Sequence, residues 1–144
     1  MDIFITFRKI GIDNKERYLD GWITPGIQPI ALGWLKLSRR ALDPEKSTPT
    51  EPYPISVFGG DGDKIKPGEI VSCEIPILPT SILFRTGETL RVEIAGAYRS
   101  GEELRNRGFD YKGFEYVSSV NKGTHTIHAG DEYDSRLLLP LHEI

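Results

Sequence analysis

Short runs in which apolar and polar residues alternate recur along this chain, separated by turn-forming residues. In IFITFRKI, Ile3, Ile5 and Phe7 fall on one face of an extended segment and Phe4, Thr6 and Arg8 on the other, because strand side chains alternate with period two. GWLKLSRR sets Leu35 and Leu37 against Lys36 and Ser38. IVSCEIPIL groups Val71, Cys73, Ile75 and Ile77, which makes Cys73 a small buried hydrophobe. TLRVEIAG alternates Leu90, Val92 and Ile94 with Arg91 and Glu93, and SRLLLPL aligns Leu137, Leu139 and Leu141. These runs predict half-buried antiparallel strands.

The connectors are polar and rich in turn residues: DPEKSTPTEPYP at 43–54, GGDGDKIKPGE at 59–69 and RSGEELRNRGFDYKGF at 99–114. One helical turn fits between Glu102 and Arg107, closely bounded by Gly101 and Gly108. No run is long enough for the helical crossovers of an α/β fold, and no internal repeat is visible. The pattern predicts an all-β domain, a two-sheet sandwich or jelly roll.

Length and charge narrow the function classes. The 144 residues suffice for one domain with a core and are too few for two ordinary ones. The net charge of −3 comes from 18 basic and 21 acidic residues mixed along the chain, so a nucleic-acid footprint is missing. The single cysteine permits no internal disulfide, which points to a reducing compartment. DIFITFRKI is too short and too polar for a signal peptide or a membrane span. A soluble, cytoplasmic chain is expected.

Catalytic motifs are missing. There is no G-x-S-x-G elbow, no phosphate-binding glycine loop, no H-E-x-x-H and no paired-cysteine zinc spacing. His125 and His128 in NKGTHTIHAG are three residues apart. On a strand they point to opposite faces and cannot share an ion, so His125 is expected to sit with Ile127 toward the packed side and His128 with Thr126 on the other. DGDK at 61–64 has too few regularly spaced oxygen ligands for a calcium loop and reads as an exposed turn. Trp22, Trp34 and Tyr53 suit core or interface anchors, and alternatively a sugar-stacking platform. Neither a metal nor a cofactor is expected.

Three blocks carry a resemblance. GWLKLSRRALDPEKSTPTEPYP, KPGEIVSCEIPILPTSILFRTGETLRVEIAG and NKGTHTIHAGDEYDSRLLLPL, in that order and over about half the chain, resemble the C-terminal domain of the CocE/NonD hydrolase family. That family includes cocaine esterase and is similar to the Xaa-Pro dipeptidyl-peptidases. The resemblance implies a galactose-binding-like jelly roll that packs against an α/β-hydrolase domain carrying the serine, acid and histidine. Residues 1–144 are then a single C-terminal-type domain without that catalytic part. DIFITFRKI resembles an internal strand of the family's jelly roll, so the domain is expected to be truncated at its N-terminus. Two departures stand out: Glu88 in GETLR occupies a position where the family usually has histidine, and the 97–120 connector has no clear counterpart.

The expected role is a non-catalytic accessory domain of a serine hydrolase that acts on esters or Xaa-Pro peptides. A carbohydrate-binding module is the alternative, resting on fold analogy. No catalytic residue is assigned; Trp22, Trp34, Tyr53 and His128 are the candidate interface or ligand contacts. With leading strands missing, Ile3, Ile5 and Phe7 are expected near an open sheet edge, which would favour self-association.

Overall fold

The computed structural model describes residues 1–18, 29–55, 64–96 and 123–142. Four strands form one antiparallel sheet: β1 (Asp2–Ile10), β2 (Glu16–Arg17), β3 (Ala31–Lys36) and β4 (Thr89–Ala95). A single 3-10 turn, Leu37–Arg39, follows β3. The architecture is all-β, and among the described residues no helix is long and apolar enough to cross a membrane. The helical turn expected at 102–107, the loop residues 61–63 and Trp22 lie outside the described residues.

β1 is the central strand. Phe4–Ile10 pairs with Thr89–Ala95 on one edge, and Asp2–Phe7 pairs with Ala31–Lys36 on the other. β2 continues that second edge, with Lys9 opposite Arg17 and Ile10 opposite Glu16. The β1–β2 turn closes through Gly11 N–H to the Lys15 carbonyl at 2.8 Å, with Asn14 in the left-handed region that its short polar side chain tolerates. The expectation that β1 lies at an open edge is therefore corrected. Both its edges carry hydrogen-bonded neighbours, so β1 offers a second copy no free edge.

The register puts Ile3, Ile5 and Phe7 on one face with Ala31, Gly33 and Leu35 of β3. This is the packed face, as the alternation predicts. Ile3, Leu35 and Leu37 form one buried cluster, joined by Ile65, Cys73 and Ile75. Phe7, Ile30 and Ala31 form a second, joined by Ile77, Ile82, Phe84 and Leu90, and Ile5 touches both.

The cover over this face comes from residues 65–84, which form no ladder. Residues 71–75 alternate all the same, with Val71, Cys73 and Ile75 half-buried and Ser72 and Glu74 exposed. The strand expected at 70–78 is thus an extended segment held at its far end. Ile77 bridges to Gly33, and Leu78 N–H donates to the Leu32 carbonyl at 2.7 Å.

Two further expected strands are not formed. Residues 124–129 and 135–141 pair with none of the four strands. Leu137, Leu138, Leu139 and Leu141 are all exposed, because without a ladder nothing holds one side of the segment against the core.

Lys9 points to the packed face yet is buried, and the turn before β4 accounts for it. Its ammonium donates to the Leu83 carbonyl at 2.6 Å, pairs with Glu88 at 2.7 Å and lies 5.3 Å from the centre of the Phe84 ring. Glu88 also closes its own turn, accepting the Arg85 N–H at 2.6 Å, while Gly87 takes the positive φ that the turn requires. The Arg85 N–H first, and then Lys9, hold the Glu88 carboxyl below the usual carboxylate range.

This packing leads to two expected outcomes. A Cβ on Gly33 would lie 2.5 Å from Ile77 Cδ1 and 2.6 Å from the Pro76 carbonyl oxygen, so Gly33→Ala should destabilise the domain by about 1–3 kcal/mol in urea denaturation. A carboxylate held low in the folded state contributes stability that is present above its unfolded pKa of about 4.3 and lost as pH falls through the lower folded value. Glu88→Gln should therefore lower stability at neutral pH and flatten its acid dependence. Parallel stability curves for parent and variant below pH 5 would contradict this.

Candidate functional site

Strand alternation brings Trp34 to the surface. Its neighbours Gly33 and Leu35 face the core, so the indole stands on the opposite face, directly across from Phe4, and is 56% exposed. Asp2, Ile3, Phe4, Leu35 and Lys36 line a shallow hollow of about 220 Å³ with it. An indole and a phenyl ring beside the exposed Lys36 ammonium, with the Asp2 carboxylate buried beneath, suit a packing contact, where an aromatic body is covered and a charged group meets a polar rim.

Tyr53 sits apart, at the end of a loop braced by Asp43. The Asp43 N–H donates to the Tyr53 carbonyl at 2.9 Å, and its carboxylate accepts the N–H groups of Glu45 and Lys46. The Lys46 ammonium beside it, and then the Glu45 N–H, hold the Asp43 carboxyl low; Asp43 in turn pushes the Lys46 ammonium up. That ammonium lies 4.9 Å from the centre of the Tyr53 ring. One face of Tyr53 is thereby occupied by a cation from its own loop and is not free for a sugar ring.

His128 and His125 are both half-buried, while Ile127 is 49% exposed. The expected placement of Ile127 on the packed side is corrected: residues 124–129 form no strand, so period-two alternation does not govern their side chains. The His128 ring packs on Tyr133 at 4.7 Å between centroids, across the turn at Gly130–Tyr133. His125 lines a second hollow, of about 110 Å³, with Met1, Ile94, Ala95, Gly96 and Ile127 among its neighbours. Trp34, Tyr53 and His128 are not gathered into one site: neither hollow contains Tyr53 or His128.

Ser135 Oγ donates to the His128 carbonyl at 2.6 Å, not to its imidazole, so the pair does not form a serine–base couple. Burial pushes the Cys73 thiol up, with Arg40 acting weakly the other way, which leaves a poor nucleophile. Among the described residues no three histidine, cysteine or acidic side chains cluster to hold a metal.

What the sequence reading missed is the pair of buried cations in β1. Arg8, on the same face as Trp34, donates to Glu16 of β2 and to Glu93 of β4, the latter at 2.7 Å, so one side chain ties three strands together. The signal was present as adjacent basic residues inside an otherwise apolar run.

Because both histidines are half-buried, His125→Ala and His128→Ala should destabilise the domain to a similar extent, each by about 0.5–1.5 kcal/mol. Denaturant midpoints for the two variants provide the check. A several-fold larger loss for His125 would restore the strand alternation that the structure replaces.

Known proteins place this geometry in context. The profile of the X-Pro dipeptidyl-peptidase C-terminal non-catalytic domain matches residues 1–138, a longer stretch than the three blocks that carry the resemblance. Two crystal structures of a CocE/NonD family hydrolase from Staphylococcus aureus are similar, at 35% and 34% identity with TM-scores of 0.60 and 0.57. Each alignment covers 67% of this chain and 17% of the hydrolase, so the chain corresponds to a small part of that protein. No curated protein matches it. With the profile match running through the sheet, the 65–84 cover and the His128 turn, this chain belongs to the X-Pro dipeptidyl-peptidase C-terminal non-catalytic domain family.

Proposed function

We propose that the chain is a non-catalytic accessory domain of a CocE/NonD-type serine hydrolase. It caps and stabilises an α/β-hydrolase domain that supplies the catalytic groups. The carrying observation is the match of residues 1–138 to a domain described as C-terminal and non-catalytic. The surface supports the reading, because Trp34, Leu138 and Leu141 are more than half exposed and make apolar area for a neighbour to cover. The substrate class follows the family: ester or Xaa-Pro amide bonds, cleaved by the partner domain and not by this one. A cytoplasmic setting suits its free cysteine.

The carbohydrate-binding alternative loses support from the geometry. Tyr53 carries the Lys46 ammonium on its ring and does not share a hollow with Trp34.

The test is a chimera. Grafted in place of the corresponding region of the Staphylococcus aureus hydrolase, this chain should restore the melting temperature that deletion of that region lowers. The purified chain alone should leave chromogenic esters and Xaa-Pro anilides uncleaved. Turnover by the repurified chain that a serine-directed inhibitor abolishes, or a chimera no more stable than the deletion, would overturn the proposal.

A further inference from the structure

The Trp34 hollow differs from the other exposed apolar area in how firmly it is held. Trp34 and Phe4 stand on strands whose register runs unbroken from Asp2–Lys36 to Phe7–Ala31, and Ile3 and Leu35 beside them belong to a buried core cluster. The 137–141 leucines pair with none of the described strands. A hollow whose walls are already fixed binds without the cost of ordering them. At about 220 Å³ it is smaller than the ~300–1,000 Å³ of small-molecule pockets and suits a single large side chain.

Lys36 adds a charge to be answered. It shares the face of Trp34 and is exposed, and among the described residues no carboxylate pairs with it. Asp2 stands directly across from it but is only 7% exposed. A second copy is therefore the wrong occupant. In a two-fold contact each copy presents the same patch to the other, and the acid in this patch is buried. A larger neighbour of different sequence meets the requirement. The aligned region makes up 17% of the Staphylococcus aureus hydrolase, so in a relative of that kind most of the chain lies beyond this domain and is available to pack on it.

We propose that the Trp34 hollow is the seat of the catalytic domain, which packs one large apolar side chain against Trp34 and Phe4 and sets a carboxylate beside Lys36. The proposal rests on the accessory-domain reading and adds to it which face is covered and by what chemistry. The aromatic anchor at the centre of the contact carries most of its energy, and the Lys36 charge at the rim fixes its register.

The chimera in which this chain replaces the corresponding region of the Staphylococcus aureus hydrolase provides the test. Lysine acylation, read residue by residue by mass spectrometry, should modify Lys36 several-fold more slowly in the chimera than in the free chain, because the contact excludes water and reagent. Trp34→Ser and Lys36→Glu should each remove most of the gain in melting temperature that the unsubstituted chimera shows over the deletion. In the free chain both should leave the melting temperature nearly unchanged, since both side chains are exposed there. A stabilised chimera in which Lys36 reacts as fast as in the free chain, or in which Trp34→Ser keeps the full gain, would overturn the assignment of this face and leave the accessory role standing. Protection of Lys36 in the free chain that grows with its concentration would give the hollow to a second copy and overturn the assignment as well. An unsubstituted chimera no more stable than the deletion would overturn both.

Discussion

The described structure is organised around two cations buried side by side in its central strand. Consecutive strand residues point to opposite faces, so Arg8 and Lys9 cannot share a counter-charge. Removing an ion from water carries a penalty of several kcal/mol unless it is paired and hydrogen-bonded, so each face must supply its own acceptors. Glu16 and Glu93 meet Arg8 on one face; Glu88, the Leu83 carbonyl and the Phe84 ring meet Lys9 on the other. The elements tied to β1 in this way are the β1–β2 hairpin, β4 and the turn that precedes it.

The same arrangement gives Glu88 two roles. A histidine there would offer Lys9 no negative charge, whereas a carboxylate answers the ammonium and accepts the turn's own N–H. One side chain thus joins a local requirement, closure of the 85–88 turn, to a long-range one, neutralising a lysine 79 positions away in sequence. The turn and the core face are coupled for this reason, and Gly33 shows the same tightness from the other side, where the 75–77 segment leaves no room for a methyl group.

The functional reading rests on surface rather than on chemistry. No nucleophile, base and acid meet among the described contacts; His128 packs on Tyr133, and Ser135 serves the backbone. The exposed groups are instead apolar or aromatic, on Trp34, on β4 and along the 137–141 leucines. Surfaces of that kind mark contact with other protein. A domain whose family is described as non-catalytic and C-terminal has such a neighbour in its larger relatives.

Strand propensity and face were legible wherever an apolar run also had a partner in the sheet. IFITFRKI, the start of GWLKLSRR and TLRVEIAG became β1, β3 and β4, with Ile3 and Phe7 inward as their alternation required. In residues 71–75 the inward set was legible even without a ladder, since burial alone enforces period two once a segment lies across a core. THTIHA and SRLLLPL carry equally plausible patterns, yet neither pairs with the described strands. Local sequence sets which side chains would share a face, not whether an edge is available to dock on. Partner choice was beyond the sequence for the same reason. Which carboxylates answer Arg8 and Lys9, and that β1 is central among the described strands, depend on the register between segments far apart in the chain. The sequence by itself determined an all-β chain, the alternating faces of its strands and its family resemblance. Only the tertiary structure decided which of the described strands pair and which charges are neutralised, because those are contacts between distant segments that no local pattern encodes.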